Sequence, residues 1–116
     1  MEIKIIKTLV DKEELKEIAK SYAWDAVKAV VDVEQEIMAI GGEFHADEEA
    51  LLMEKEGSRR ESTWGINLYP EESGENFIEF DSMVNLKPAF GNRSRNVEDA
   101  LLQKKIREIV VKLVRP

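Results

Sequence analysis

The chain has no cysteine. Disulfides, thiolate metal sites and cysteine nucleophiles are therefore excluded, and the composition suits a reducing cytoplasm. It has one histidine, His45, and scattered serines around a lone histidine do not specify a Ser–His–Asp triad. A zinc site would have to draw its other ligands from carboxylates. Aromatic residues are only 7% of the chain, so the core must be built mainly from aliphatic side chains. No apolar run approaches the length of a membrane span. The segment Met1–Lys7 alternates charge with isoleucine, which reads as a strand and not as a signal peptide. No P-loop or dinucleotide fingerprint is present, since Gly91 stands alone in its loop. We expect a cytoplasmic protein with no cofactor and no membrane partner.

What is present fits a single α+β domain over residues 1–116. That length supports one sizeable core, and the 43% hydrophobic content is ordinary for a folded protein. The net charge of -7 is unevenly spread. Residues 1–31 are neutral, residues 32–83 carry fifteen acids against three bases, and residues 84–116 carry eight bases against three acids. So acidic a surface repels nucleic acid over most of its area. The basic third can hold an anion locally, or lie against the acidic middle within one fold or between two subunits. Charged residues are 35% of the chain, rich in Lys and Glu, with only two Gln, a balance that leans towards a thermophile.

The periodicity predicts the order β-α-β-β-α-β-β-α. A strand over 2–6 precedes a helix over 12–23, with Asp11 and Glu14 spaced as a capping box and Val10 and Leu15 as a hydrophobic staple. Leu15, Ile18, Ala19 and Tyr22 mark its buried stripe. Strands over 27–33 and 36–41 form a hairpin, although Glu34-Gln35 is a poor tight-turn pair. A helix over 46–56 ends at Gly57, with Asp47, Glu48 and Glu49 in its first turn. Strands over 63–69 and 77–84 follow, with Trp64, Ile66 and Leu68 on one face and Ile78, Phe80 and Val84 on one face of the partner. A helix over 97–114 closes the chain, capped by Asn96 and Asp99. The right-handed crossover rule makes the first two strands parallel, and so predicts a mixed five-stranded sheet with its helices mainly on one face. Both faces of the second and third strands are apolar, which leaves a second face to be covered, for instance by a dimer partner.

Three constellations carry chemistry. His45 lies between Gly42 and a helix start; it is a candidate acid/base, and its bland reading is a cap or packing residue of that helix. Glu79 and Asp81 share a strand face with Asn67 and Tyr69, and these oxygens suit a hard cation such as Mg²⁺; the bland reading is a solvated sheet face. Asp32, Glu34 and Glu36 invite the same two readings. Gly91-Asn92-Arg93-Ser94-Arg95-Asn96 puts two arginines before an amphipathic helix. Arg93 and Arg95 would clamp an anion, with Asn92 and Ser94 adding hydrogen bonds. The bland reading is a structured loop whose arginines pair with the acidic middle. Trp64 belongs in the core, whereas an exposed Trp24 would mark a contact surface.

Several motifs occur together: Gly41-Gly42-Glu43-Phe44-His45-Ala46-Asp47-Glu48-Glu49, Trp64-Gly65-Ile66-Asn67-Leu68-Tyr69-Pro70, Ile78-Glu79-Phe80-Asp81-Ser82-Met83-Val84-Asn85 and Gly91-Asn92-Arg93-Ser94-Arg95. With Val30-Val31-Asp32-Val33-Glu34 they resemble a family of small prokaryotic proteins known only as a domain of unknown function. The resemblance implies a single-domain cytoplasmic protein and transfers no activity, cofactor or catalytic residue. From the residues, the leading expectation is a binding or assembly module that self-associates into a homo-oligomer, with an anion site at the arginine loop. The alternative is a small enzyme acting on an anionic, phosphoester-type substrate. There His45 transfers protons, Arg93 and Arg95 bind the anion, and Glu79 and Asp81 hold a metal. Geometry discriminates between them, because an enzyme needs these groups around one cleft.

Overall fold

The computed structural model describes residues 2–116. In chain order the elements are β1 (Lys4–Ile6), β2 (Val10–Asp11), α1 (Lys12–Ser21), β3 (Val27–Asp32), β4 (Ile37–Ile40), α2 (His45–Glu56), β5 (Thr63–Leu68), β6 (Ile78–Glu79), α3 (Ala100–Leu113) and β7 (Val114–Arg115). The fold is α+β, with three helices and a five-stranded sheet in the order β1-β4-β3-β5-β6. β3 lies at its centre because the valine-rich run can be buried on both faces. Short β2 and β7 form a separate parallel pair that ties the start of α1 to the end of α3.

Every pairing in the large sheet is antiparallel, which corrects the expected mixed sheet. β1 and β3 do point the same way, since each is antiparallel to β4, but β4 is inserted between them. The crossover rule governs the hand of the connection and leaves adjacency to hairpin pairing. The β3–β4 hairpin closes without a tight-turn pair because Asp32 organises its tip. Its carboxylate accepts the backbone N–H groups of Glu34 and Gln35 at 2.9 and 3.1 Å, and the Ser58 hydroxyl at 2.6 Å.

One face of the sheet carries Ala29, Val31, Met38, Ile40, Trp64, Ile66 and Leu68 against α1 and α3. Leu15 and Ile18 of α1 and Ile106, Ile109 and Leu113 of α3 fill that layer, and each fully buried side chain of this kind contributes about 1.5–3 kcal/mol. Val30, Ile37 and Ala39 face the other way and pack against Leu52 of α2 and Val84. The second apolar face is therefore covered by the chain's own α2, so the helices are split between the two faces.

Helix boundaries shift where caps decide. Asp11 stands at the N-cap of α1 but its side chain makes no capping bond, and Glu14 pairs with Lys4 instead of closing a capping box. α2 ends at Gly57, whose φ of 66° is left-handed. α3 begins at Ala100 because Asp99 is its N-cap, accepting from the N–H groups of Leu101 and Leu102 at 2.9 and 3.4 Å. Leu101 then falls off the buried stripe and is 77% exposed.

The strand expected over 77–84 stops at Glu79. Ser82 caps a tight turn over Met83–Asn85, and Val84 crosses to the α2 face. The turn is possible because residue 65 is glycine: a Cβ there would lie 2.5 Å from Ser82 Cβ. Early departure of the chain from the sheet opens a cleft beside the start of α2.

Candidate functional site

That cleft, about 390 Å³, is assembled from six parts of the chain. The start of α2 supplies Phe44 and His45, β3 supplies Lys28, and β5 supplies Asn67. Glu79, Asp81, Ser82 and Met83 come from β6 and the turn after it, and Arg95 from the following loop. Trp24, in the connection after α1, closes one side.

His45 is the first residue of α2, so helix geometry turns its ring towards β5. Its Nε2 lies 2.8 Å from the Ile66 carbonyl. A carbonyl only accepts, so Nε2 carries the proton and donates it, and the neutral ring keeps its lone pair on Nδ1. Burial pulls the imidazole pKa below its ordinary 6.5 and the Lys28 ammonium adds to this, against the Ile66 carbonyl, Asn67 and Asp81. The ring is therefore neutral near pH 7 with one tautomer fixed, the state a general base needs.

The opposite wall is polar. Asn67 Nδ2 donates to Glu79 Oε1 at 2.8 Å and to the Asp81 carbonyl at 3.2 Å. The Tyr69 hydroxyl donates to the same Glu79 oxygen at 3.1 Å. Burial, then Glu79, pushes Tyr69 up to about 12. Asp81 Oδ1 accepts from Arg95 Nε at 2.6 Å. These donors occupy one oxygen of each carboxylate, Oε1 of Glu79 and Oδ1 of Asp81. Among the described residues, no group of three or more histidines, aspartates or glutamates is disposed to hold a metal ion.

The arginine loop divides. Arg95 reaches the cleft; Arg93 is not among its walls. The Arg93 backbone N–H faces the Glu98 carboxylate at 3.3 Å, and the Ser94 hydroxyl, then this N–H, hold the Glu98 carboxyl below the usual range. Asn92 is buried, with its amide donating to the carbonyls of Asn85, Ser94 and Asn96 at 2.7, 3.1 and 2.7 Å and accepting the Glu98 N–H at 2.9 Å. Asn92 is thus committed to its own backbone, and the first amides of α3 are taken by Asp99. The two arginines do not form one clamp.

Sequence reasoning did not single out Lys28, Phe44, Ser82 or Met83 for the site. Lys28 carried a signal, as the one charge in Val27-Lys28-Ala29-Val30-Val31. Its ammonium sits 4.4 Å over the Trp24 ring, and Trp24 meets Tyr69 edge-on at 6.2 Å. Elsewhere the basic third pairs with the acidic middle inside the chain. Lys87 meets Glu49 at 3.2 Å, and Lys105 and Lys112 meet Glu36 at 2.9 and 2.5 Å.

Among the described residues, no helix is long and apolar enough to cross a membrane. No curated protein and no solved structure matches the chain. A family model described as Protein of unknown function (DUF5674) matches residues 4–113. The match spans nearly the whole chain, and the chain belongs to that family.

Proposed function

We propose that this protein binds a small anion-bearing ligand in the cleft between His45 and Arg95, and that His45 transfers a proton there. The observation that supports the reading is convergence. His45, Asn67, Glu79, Asp81 and Arg95, drawn from four separate segments, surround one cavity that also holds Lys28. Such a set of convergent polar groups beside apolar walls is the usual form of a small-molecule site. Arg95 and Lys28 supply positive charge for the anion. Nδ1 of neutral His45 accepts the proton, and the Ile66 carbonyl holds the ring while it does so. The reaction class this favours is proton transfer on, or hydrolysis of, a carboxylate- or phosphate-bearing substrate.

Self-association was the other expectation, and its motive was charge asymmetry. Pairing of Lys87, Lys105 and Lys112 with acidic-middle carboxylates of the same chain uses much of that asymmetry internally. The cleft is accordingly the stronger basis for function.

The single histidine gives a clean test. Its ring proton resonance is followed by NMR while inorganic phosphate is added at constant ionic strength. A bound anion should shift the resonance saturably and raise the His45 titration midpoint. Arg95→Ala should weaken the response by about tenfold, equivalent to about 1.4 kcal/mol, and Arg93→Ala should leave it unchanged. A His45 signal indifferent to phosphate and to small carboxylates up to tens of millimolar (roughly the millimolar limit of specific binding) would refute the reading.

A further inference from the structure

The groups left over after internal pairing describe the ligand. Arg95 hydrogen-bonds Asp81 through Nε, and its terminal nitrogens make no hydrogen bond among the described residues. Lys28 likewise has no carboxylate partner among them and rests on the Trp24 ring. Two cationic donor groups therefore face the cleft with capacity to spare. The acceptors are also in surplus. Asn67 Oδ1 is buried, in a residue only 5% exposed, and makes no well-formed hydrogen bond among the described residues, although the Asn67 side chain lies near the His45 ring and favours its protonated form. Its orientation is not free, because Nδ2 is fixed by Glu79 and the Asp81 carbonyl. A buried acceptor left open in this way costs free energy until a donor arrives. Beside it, Glu79 accepts both of its bonds on Oε1, and Asp81 meets Arg95 through Oδ1, which leaves the second oxygen of each carboxylate without a partner among the described residues. The third component is apolar. Trp24, Phe44 and Met83 are 38%, 58% and 61% exposed, and all three line this cleft.

Resting on the reading of this cleft as a ligand site, we infer that its ligand is a zwitterion of the aromatic α-amino acid class. The carboxylate meets Lys28 and the terminal nitrogens of Arg95. The ammonium donates to Asn67 Oδ1 and the open oxygens of Glu79 and Asp81. The aromatic side chain lies against Trp24, Phe44 and Met83. A simple anion satisfies the cations and leaves the Asn67 carbonyl and two carboxylates unanswered, and a simple amine does the reverse. A ligand bearing both charges answers each set, and a site with buried hydrogen-bonding groups rejects analogues that lack the matching group.

The test uses three probes of one shape on the intact chain: L-phenylalanine, 3-phenylpropionate and 2-phenylethylamine. Binding is read by calorimetry and by the His45 resonance. L-phenylalanine should bind at least about tenfold more tightly than either singly charged analogue. Lys28→Met should weaken L-phenylalanine and 3-phenylpropionate and leave 2-phenylethylamine unchanged. Asn67→Leu should abolish the advantage of L-phenylalanine over 3-phenylpropionate; if that variant does not fold, Glu79→Gln reads the same ammonium contact and should narrow that advantage. Equal binding of L-phenylalanine and 3-phenylpropionate overturns the zwitterion and leaves an anion site standing. Response to phosphate with none to the three phenyl compounds does the same. Silence towards all four probes overturns both the inference and the reading it rests on.

Discussion

The side-chain amide of Asn85 holds both backbone groups of Gly65. The Gly65 N–H donates to Asn85 Oδ1 at 2.8 Å, and Asn85 Nδ2 donates to the Gly65 carbonyl at 2.9 Å. One side chain thereby continues the hydrogen-bond ladder of β5 where the chain after β6 has turned away. Asn85→Leu preserves much of the volume and removes both bonds to Gly65, together with the one Asn85 Nδ2 donates to the Arg95 carbonyl at 2.9 Å. It should destabilise the protein by about 2–6 kcal/mol, from about 1–3 kcal/mol for each buried backbone group left open. Urea unfolding checks this, and a change below about 1 kcal/mol would show that water replaces the amide.

Lys87 is buried to the tip, with its ammonium 3.2 Å from Glu49 Oε2 and 5.3 Å from the centre of the Trp64 ring. Burial draws the lysine pKa down and Glu49 opposes the shift. Glu49 has other partners, Arg60 at 2.9 Å and the Thr63 hydroxyl at 2.6 Å, whereas Lys87 has no second carboxylate among the described residues. The two substitutions should therefore be unequal. Glu49→Gln strands a buried cation and should cost about 3–5 kcal/mol. Lys87→Met leaves Glu49 paired and should cost distinctly less. A double-mutant cycle with chemical denaturation measures the difference.

Glu36 holds the acid limb of stability. Lys112, then Lys105, hydrogen-bond its carboxylate and lower its pKa from 4.5 to about 2. The folded pKa is depressed, so the contribution is full above about 4.5 and fades as pH falls towards 2. Glu36→Gln should flatten thermal stability between those values. The side chain is partly open to solvent, so added salt should shrink the wild-type effect towards the mutant. Equal acid profiles for the two proteins at low salt would contradict the assignment.

Glu48 should behave in the opposite sense. Its Oε2 accepts the Gly42 N–H at 2.9 Å, Oε1 has no partner among the described residues, and burial raises its pKa well above 4.5. A raised folded pKa means that the contribution is full below about 4.5 and is lost as pH rises through the folded value. Glu48→Gln keeps an acceptor for Gly42 and cannot ionise. Melting temperatures from pH 4 to 9 should fall less steeply for the variant, which should be the more stable protein at the alkaline end. Parallel profiles would mean that Glu48 ionises freely in the fold.

The helices were legible in the sequence because their signals are local. The stripe of Leu15, Ile18 and Ala19 and the stop at Gly57 survive in the structure. Strand neighbours were not legible, since pairing of β4 between β1 and β3 is decided by long-range contacts. The strand over 77–84 was overextended because Ile78, Phe80 and Val84 keep a period of two while Ser82 and Asn85 break the ladder through side chains. For the cleft, His45, Glu79, Asp81 and Arg95 were nameable from residue type. Lys28 was hidden inside an apolar run, and Asn85, which lies outside the cleft but fixes the turn beside it, was hidden because its partner lies 20 residues away.

The sheet ends in very short strands. β1 has three residues and β6 has two, and past β6 the rim of β5 is sealed by a single amide. An unpaired row of backbone groups is what a foreign strand needs in order to add to a sheet, and here neither rim offers a long one. Removing Asn85 would do more than weaken one molecule. It would bare a stretch of β5 as a docking rail for other copies, turning a loss of stability into a propensity to form fibrous aggregates at high concentration.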